Sequence, residues 1–317
     1  MAGELVTIII CCHNRAEYLP QTLNSALEQR YRPVEILVVD DGSTDNTSEV
    51  IEPYLDRVRY YYHENKGVTK TRNIGCQLAS GEYIAFLDDD DLMPNDRIEK
   101  LYKALQDYPT ALFAVGDLAI IDMAGNVIPS KTPARKKRVN KPTLYNDGQK
   151  LVLWPEATVT VHTTLFRKRD GEAIGWFDES FKYASEDKDF FARLGLLGPA
   201  VYIPGVVSYY RRGHASLTNE FSGSSIKVEY SKIRLFEKHL DLINSANHLF
   251  RHRLCFRILL SLKSIVRIKK RYGIKQDVLA DSALEKGLKL LSISQRIKFY
   301  FYLWVKMPVR HAIKGDA

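Results

Sequence analysis

The run Tyr83-Ile84-Ala85-Phe86-Leu87-Asp88-Asp89-Asp90-Asp91-Leu92-Met93-Pro94 carries the decisive pattern of the chain. An apolar stretch with aromatic and β-branched members stops abruptly in four carboxylates, as a buried parallel strand stops at the rim of its sheet. Such rims are where open α/β sheets bind ligands. Adjacent carboxylates that face one cleft all stay ionised only with a cation beside them. Magnesium and manganese suit that place: they take oxygen ligands, few of them protein carboxylates, and complete their shell with water and phosphate. Asp88 and Asp90 share a face of extended backbone. A plainer reading makes the run an acidic loop before the next helix, with Asp96 as the cap and Arg97 to Tyr108 as the body.

The residues before this run alternate in the same way. Leu5 to Cys12 reads as a central strand, His13-Asn14-Arg15 as a turn, and Tyr18 to Gln29 as a helix with apolar positions at helical spacing. Val34 to Val39 reads as a second buried strand. It ends in Asp40-Asp41-Gly42-Ser43-Thr44-Asp45, a cluster of turn and N-cap residues, before a helix to about Tyr54. Val58 to Tyr62 reads as a third strand and Val68 to Ala79 as a helix. This alternation predicts a parallel sheet with right-handed crossovers. No glycine fingerprint follows the first strand, and no Walker lysine loop occurs. A bound nucleotide would then be held by side chains at its base and ribose and by a metal at its diphosphate. Asp41, at the end of the second strand, suits a base or ribose; as a turn residue opening the next helix it needs no ligand.

Taken together, four segments in order carry a resemblance: Thr7 to Arg15 (TIIICCHNR), Val38 to Asp45 (VVDDGSTD), Asn65-Lys66-Gly67 with Thr71-Arg72-Asn73-Ile74-Gly75, and Gly81 to Asp91. Over about the first 110 residues the chain resembles family 2 inverting glycosyltransferases of the GT-A fold. The resemblance implies a nucleotide-diphosphate-sugar donor and a divalent ion, Mn2+ or Mg2+, at the DxD motif Asp88-Asp89-Asp90. It puts Asp41 on the donor base, Arg72 near the base or diphosphate, Asp89 by the ribose or sugar, and Asp90 on the metal. His13 stands where the family often has an aromatic packed on the base, a place an imidazole can fill by stacking.

Downstream, Ala111 to Asp117, Leu118 to Asp122 and Val159 to Phe166 read as strands, as do Val201 to Pro204 and Val207 to Tyr210. Pro129 to Pro142 is a basic, proline-flanked stretch, read as a solvated loop or as an arm that attracts phosphorylated substrates. Glu186-Asp187-Lys188-Asp189 opens a helix with the acidic residues its dipole favours. The resemblance implies more there: this pair is similar to the family's acceptor-side acidic motif, with Asp187 as catalytic base and Glu186 beside the acceptor. Tyr210 to Thr218 resembles a segment at the end of that catalytic domain. There His214 would ligate the metal or touch the diphosphate, and Arg211 or Arg212 would neutralise departing phosphate charge.

The net charge of +8 is unevenly spread, because residues 226–317 hold 20 Lys and Arg against 7 Asp and Glu, whereas residues 1–225 hold 26 against 31. From Ile226 the pattern is helical with basic faces: Ile226 to Leu242, Leu249 to Tyr272, Asp277 to Leu291 and Ser294 to His311. Such helices suit an anionic membrane surface or pack as a plain helical appendage. No nucleic-acid module is recognisable. Four cysteines, Cys11, Cys12, Cys76 and Cys255, form neither a metal knuckle nor a disulfide framework, which points to a reducing compartment. No signal peptide or membrane span is expected. These features predict a cytoplasmic protein, peripheral at the inner membrane face.

The expected architecture is therefore α/β: a GT-A domain with a mostly parallel central sheet flanked by helices, and a basic all-helical C-terminal extension. Residues 1–110 would bind the nucleotide sugar, 111–225 the acceptor, and 226–317 would form the extension. The expected activity is inverting, metal-dependent transfer of a sugar to a glycan or lipid-diphosphate-linked hydroxyl, in cell-surface polysaccharide synthesis. The alternatives are a sugar-phosphate nucleotidyltransferase, disfavoured because Cys11 to Arg15 lacks glycines, and a non-catalytic glycan- or membrane-binding protein, disfavoured because every acidic residue is in place.

Overall fold

The computed structural model describes residues 3–129, 139–153, 158–213, 225–243, 248–272, 274, 276–292, 294–296 and 299. The chain divides into two compact units, one of residues 1–182 with 186–215 and one of 183–185 with 216–317.

The first unit is built on a sheet of nine strands among the described residues. β1 (Val6–Cys12), β2 (Val34–Asp41), β3 (Arg59–His63) and β4 (Tyr83–Asp88) are followed by β5 (Phe113–Ile121) and β6 (Val127–Ile128). β7 (Thr143–Tyr145), β8 (Thr164–Arg167) and β9 (Ala200–Arg211) complete it. The order is β3-β2-β1-β4-β8-β5-β9-β7, with β6 on β5. β1, β2, β3 and β4 run parallel, β5 pairs parallel with β9, and β8 is antiparallel to both β4 and β5. Strand order reverses beside β1, so the crevice outside the carboxyl ends of β1 and β4 is the place such sheets offer a ligand.

β1 is buried on both faces, as its unbroken apolar run requires. One face, Val6, Ile8, Ile10 and Cys12, shares a core with Leu19 and Leu23 of α1 (Leu19–Leu27) and with Ile98, Leu101 and Leu105 of α4 (Arg97–Asp107). The other face meets α3 (Val68–Leu78), and there the approach is close: a Cβ on Gly75 would lie 2.6 Å from Cγ2 of Ile9. Gly75→Ala is therefore expected to destabilise by about 1–2 kcal/mol, overpacking outweighing the ~1 kcal/mol gain in helix propensity. A urea midpoint that does not fall would refute that packing.

Two sequence expectations change in detail. The paired strands expected at 111–122 and at 201–210 are each one long strand, β5 and β9, whose mutual register shifts around Asp117. The expected breaks, after Asp117 and after Pro204, are a bulge that absorbs the irregularity while the ladder continues. The strand expected from Val159 begins instead as a single 3-10 turn, Val161–Thr163, before β8. Between β4 and the sheet's far half the pairing is short, only Tyr83 with Arg167 and Ile84 with Phe166. Beyond it, the buried Arg97 side chain donates from Nη2 to the carbonyls of Phe86 (2.9 Å) and Thr164 (3.3 Å), one on each side of the gap.

The remaining helices of this unit are α2 (Thr47–Ile51), α5 (Gly148–Leu153), α6 (Lys168–Ala173) and α7 (Glu186–Leu197). The second unit contains α8 (Ile226–Leu242), α9 (His248–Arg271) and α10 (Val278–Lys289) among its described residues. Most of the helix expected at 294–311, and residues 130–138 of the basic stretch, lie outside the described residues.

Candidate active site

The carboxyl ends of β1, β2 and β4 meet at one rim, where Cys11 pairs with Asp88 and Cys12 with Asp40. Two loops are joined above it. Asn14 takes a left-handed φ of 52°, which asparagine tolerates, and its Oδ1 accepts the amides of Thr44 (2.7 Å) and Asp45 (3.2 Å). Gly42, at φ 71°, passes so near Asn65 that a Cβ would fall 2.5 Å from its amide nitrogen. Asp41 is buried and accepts the amides of Lys66 (2.6 Å) and Gly67 (3.0 Å), fixing the turn into α3. His13 is exposed, its amide donating to Asp89 (3.0 Å), with the Asn65 amide group 3.4 Å from its ring.

The four aspartates separate by environment. Asp88 keeps 34% of its side chain exposed and Asp90 12%, the latter 3.8 Å from the Arg15 guanidinium. Burial, reinforced by Asp90, pushes Asp89 well above the usual carboxylate range. Asp91 is fully buried, receiving the Arg211 amide (2.9 Å) on one oxygen and lying 2.6 Å from Nδ1 of His162 on the other. Burial raises Asp91 to about 6 although His162 opposes it. For His162, burial favours the neutral ring, but Asp91 and Asp88 outweigh it and raise its pKa.

A guanidinium ties this rim to the acidic helix. Arg72, on α3 and only 7% exposed, donates from Nη1 to Glu186 (2.6 Å) and from Nη2 to Asp88 (3.3 Å). Asn73 beside it exchanges hydrogen bonds with the backbone of Phe177, 3.0 Å to the carbonyl and 2.9 Å from the amide. Phe177 stacks on Phe190 of α7 at 4.3 Å and meets Phe86 of β4 edge-on at 5.5 Å. Arg193 then fastens α7 by donating to Asp189, Ile174 O and Trp176 O. The Asp187 carboxyl is thereby held beside Glu186, and burial with that neighbouring charge pushes it up to about 6 while Lys188 and Arg72 pull it down.

The residues singled out in the sequence thus separate into groups. Asp88, Asp89, Asp90, His13, Arg72 and Glu186 are joined by the contacts above, with Asp187 in the field of Arg72. Arg211 differs from its expected phosphate role: it is 1% exposed and binds the carbonyls of Asp90, Asp122 and Met123 and Oε1 of Gln21. Its charge supports the aspartate loop because four oxygens enclose it. Arg212 is exposed, its guanidinium 5.8 Å from the Tyr210 ring centre. His214 lies outside the described residues. The sequence reading missed His162, Asp91 as a distinct buried partner, and Arg97. His162, set among Thr160, Val161, Thr163 and Thr164, carries no motif, and its partner Asp91 lies 71 residues away.

Asp88, Asp91 and His162 bring ligand atoms within 4.8 Å of one another. Oxygens with one imidazole fit Mn2+, and the oxygens alone fit Mg2+. Asp91 has both oxygens engaged within the chain, Asp88 accepts from Arg72 and Asp90 lies 3.8 Å from Arg15, so a cation at Asp88 or Asp90 would share its carboxylate with a guanidinium. Burial raises the pKa of all four thiols, which are free and behave as packing groups.

Among solved structures, S. aureus TarS in complex with UDP-GlcNAc superposes with a TM-score of 0.64 at 16% identity, over 92% of this chain and 83% of that one. Mannosyltransferase PcManGT from Pyrobaculum calidifontis, in complex with GDP-Man and Mn2+, gives 0.56 at 18% identity, over 94% and 84%. At these identities the likeness shows a shared fold. In sequence, glycosyltransferase GlyG of Streptococcus pneumoniae is 38% identical over 33% of this chain, a match that spans 36% of the relative's length. An uncharacterized glycosyltransferase of Rickettsia typhi is 30% identical over 78% of each chain. The family model described as Glycosyl transferase family 2 matches residues 7–174. With more than half its length matched, the chain belongs to glycosyl transferase family 2.

Proposed function

We propose that this protein transfers a sugar from a nucleotide-diphosphate donor to a hydroxyl of a glycan or lipid-linked acceptor, with inversion at the anomeric carbon. The observation that carries this reading is the Arg72 bridge between Asp88 and Glu186, which ties the end of β4 to the start of α7 and so supports treating both as parts of one site. His13 would lie against the base end of the donor, Asp41 would shape that end through the turn it fixes at Lys66 and Gly67, and Asp89 would meet the ribose or sugar. Asp187 takes the proton of the acceptor hydroxyl as that oxygen attacks the anomeric carbon; the carbon–phosphate-oxygen bond breaks and the diphosphate leaves from the opposite face. Asp88 and Asp90, with His214 as a further candidate ligand, would hold a divalent ion, which would supply charge neutralisation at that diphosphate. Arg212 is the exposed arginine near the end of β9 that would add to it. The free cysteines suit a cytoplasmic setting, and no helix among the described residues is long and apolar enough to cross a membrane.

Screening nucleotide sugars for manganese-dependent binding by calorimetry, and then for transfer, tests this function. Asp90→Ala is expected to weaken manganese-dependent nucleotide affinity by at least about tenfold. Affinity that is the same with and without the ion, in the native chain, would remove the metal from the scheme.

A further inference from the structure

α9 is a 24-residue helix with eight lysines and arginines and no carboxylate. One side packs inward: Leu254, Ile258, Leu262 and Ile265 are each buried, at 0% exposure. The other side is exposed and mixed in character. Leu249, Phe256 and Leu260 are 64%, 49% and 44% exposed, and Arg253, Arg267, Lys270 and Arg271 are exposed with them. At 100° per residue these seven positions fall within an arc of about 100° on a helix about 36 Å long. They form one stripe, apolar toward its start and cationic toward its end.

We infer that α9 docks through this stripe on the surface of an anionic phospholipid bilayer. Exposed leucine and phenylalanine enter the boundary between headgroups and acyl chains, while the interleaved arginines and lysines meet the phosphates. Its cations keep the helix in the interface plane, since it is not apolar enough to cross a membrane. Charge selects this occupant over a second copy of the same face, because two such stripes would repel. Nucleic acid would use the cations and leave the three apolar side chains in water. Anchoring in this way is independent of the transferase reading.

The full chain is sedimented with vesicles of phosphatidylcholine alone and of phosphatidylcholine mixed with phosphatidylglycerol. Binding to the mixed vesicles that declines with salt is expected, with little to the neutral ones. Arg253→Gln with Arg267→Gln and Lys270→Gln lowers the partition coefficient about a hundredfold. Phe256→Ser with Leu260→Ser lowers it about tenfold. Circular dichroism should show both variants folded, as the changed side chains are exposed. Equal binding to both vesicle types, or none to either, overturns the inference. So does full retention in Phe256→Ser with Leu260→Ser, which would mark the stripe as a site for polyanions in solution.

Discussion

Asp187→Asn is expected to lower the rate of sugar transfer by about 10²–10⁴-fold while donor affinity changes little, the effect of removing a general base and leaving the donor's contacts in place. The pH profile should report the same group. With Asp187 held at about 6 by burial and Glu186, kcat/KM is flat above that pH and falls about tenfold per unit below it. Stability moves the opposite way. The folded-state pKa lies above the unfolded value near 4, so the unfolded chain gives up its proton first as pH rises. The cost of ionising Asp187 therefore sets in between about pH 4 and 6 and is fully present above. Asparagine avoids that cost, so the dead variant should melt higher than the native chain at pH 7. Near-normal turnover in Asp187→Asn would take the base role away from this residue.

Arg72→Met should have the larger effect on the fold. It leaves Glu186, 15% exposed, and Asp88 facing each other's surroundings without the cation between them. Breaking a buried pair by removing one partner costs about 3 kcal/mol or more, visible as a lower urea midpoint. Transfer should drop by at least about a hundredfold, since the rim and α7 lose their link. Arg72→Lys is the informative companion: it restores part of the stability and little of the rate, because a lysine cannot fork to two carboxylates. A double-mutant cycle with Glu186→Gln measures the coupling, expected between about 0.5 and 3 kcal/mol. Strict additivity would show that the bridge links nothing.

The amino-terminal half was legible because its information is local. Apolar runs ending in carboxylates give strands, ends and rim in one pass, and β1, β2 and β4 fall where those runs are. α7 was legible for the same reason, its acidic first turn announcing a helix start. What escaped is long-range. Arg211 looks like a free cation in Tyr210-Arg211-Arg212, and only the folded chain reveals the oxygens around it. His162 has no neighbour in sequence that hints at Asp91. β5 and β9 were each read as two strands, because a bulge that keeps a ladder going across Asp117 is set by the partner strand and has no mark in the local sequence.

The two-pair ladder between β4 and β8 has a mechanical consequence. Elsewhere in the sheet, backbone hydrogen bonds dictate how far apart neighbouring strands lie, near 4.8 Å. Where β4 and β8 part company, the width of the opening is set by a side chain, the Arg97 guanidinium wedged between Phe86 and Thr164. Burial draws its pKa down to about 9, so it still carries its proton at neutral pH. Spacing at this seam thus depends on one side chain: a shorter residue at 97 would leave the carbonyls of Phe86 and Thr164 without their shared donor, just behind the strand end that carries the aspartates.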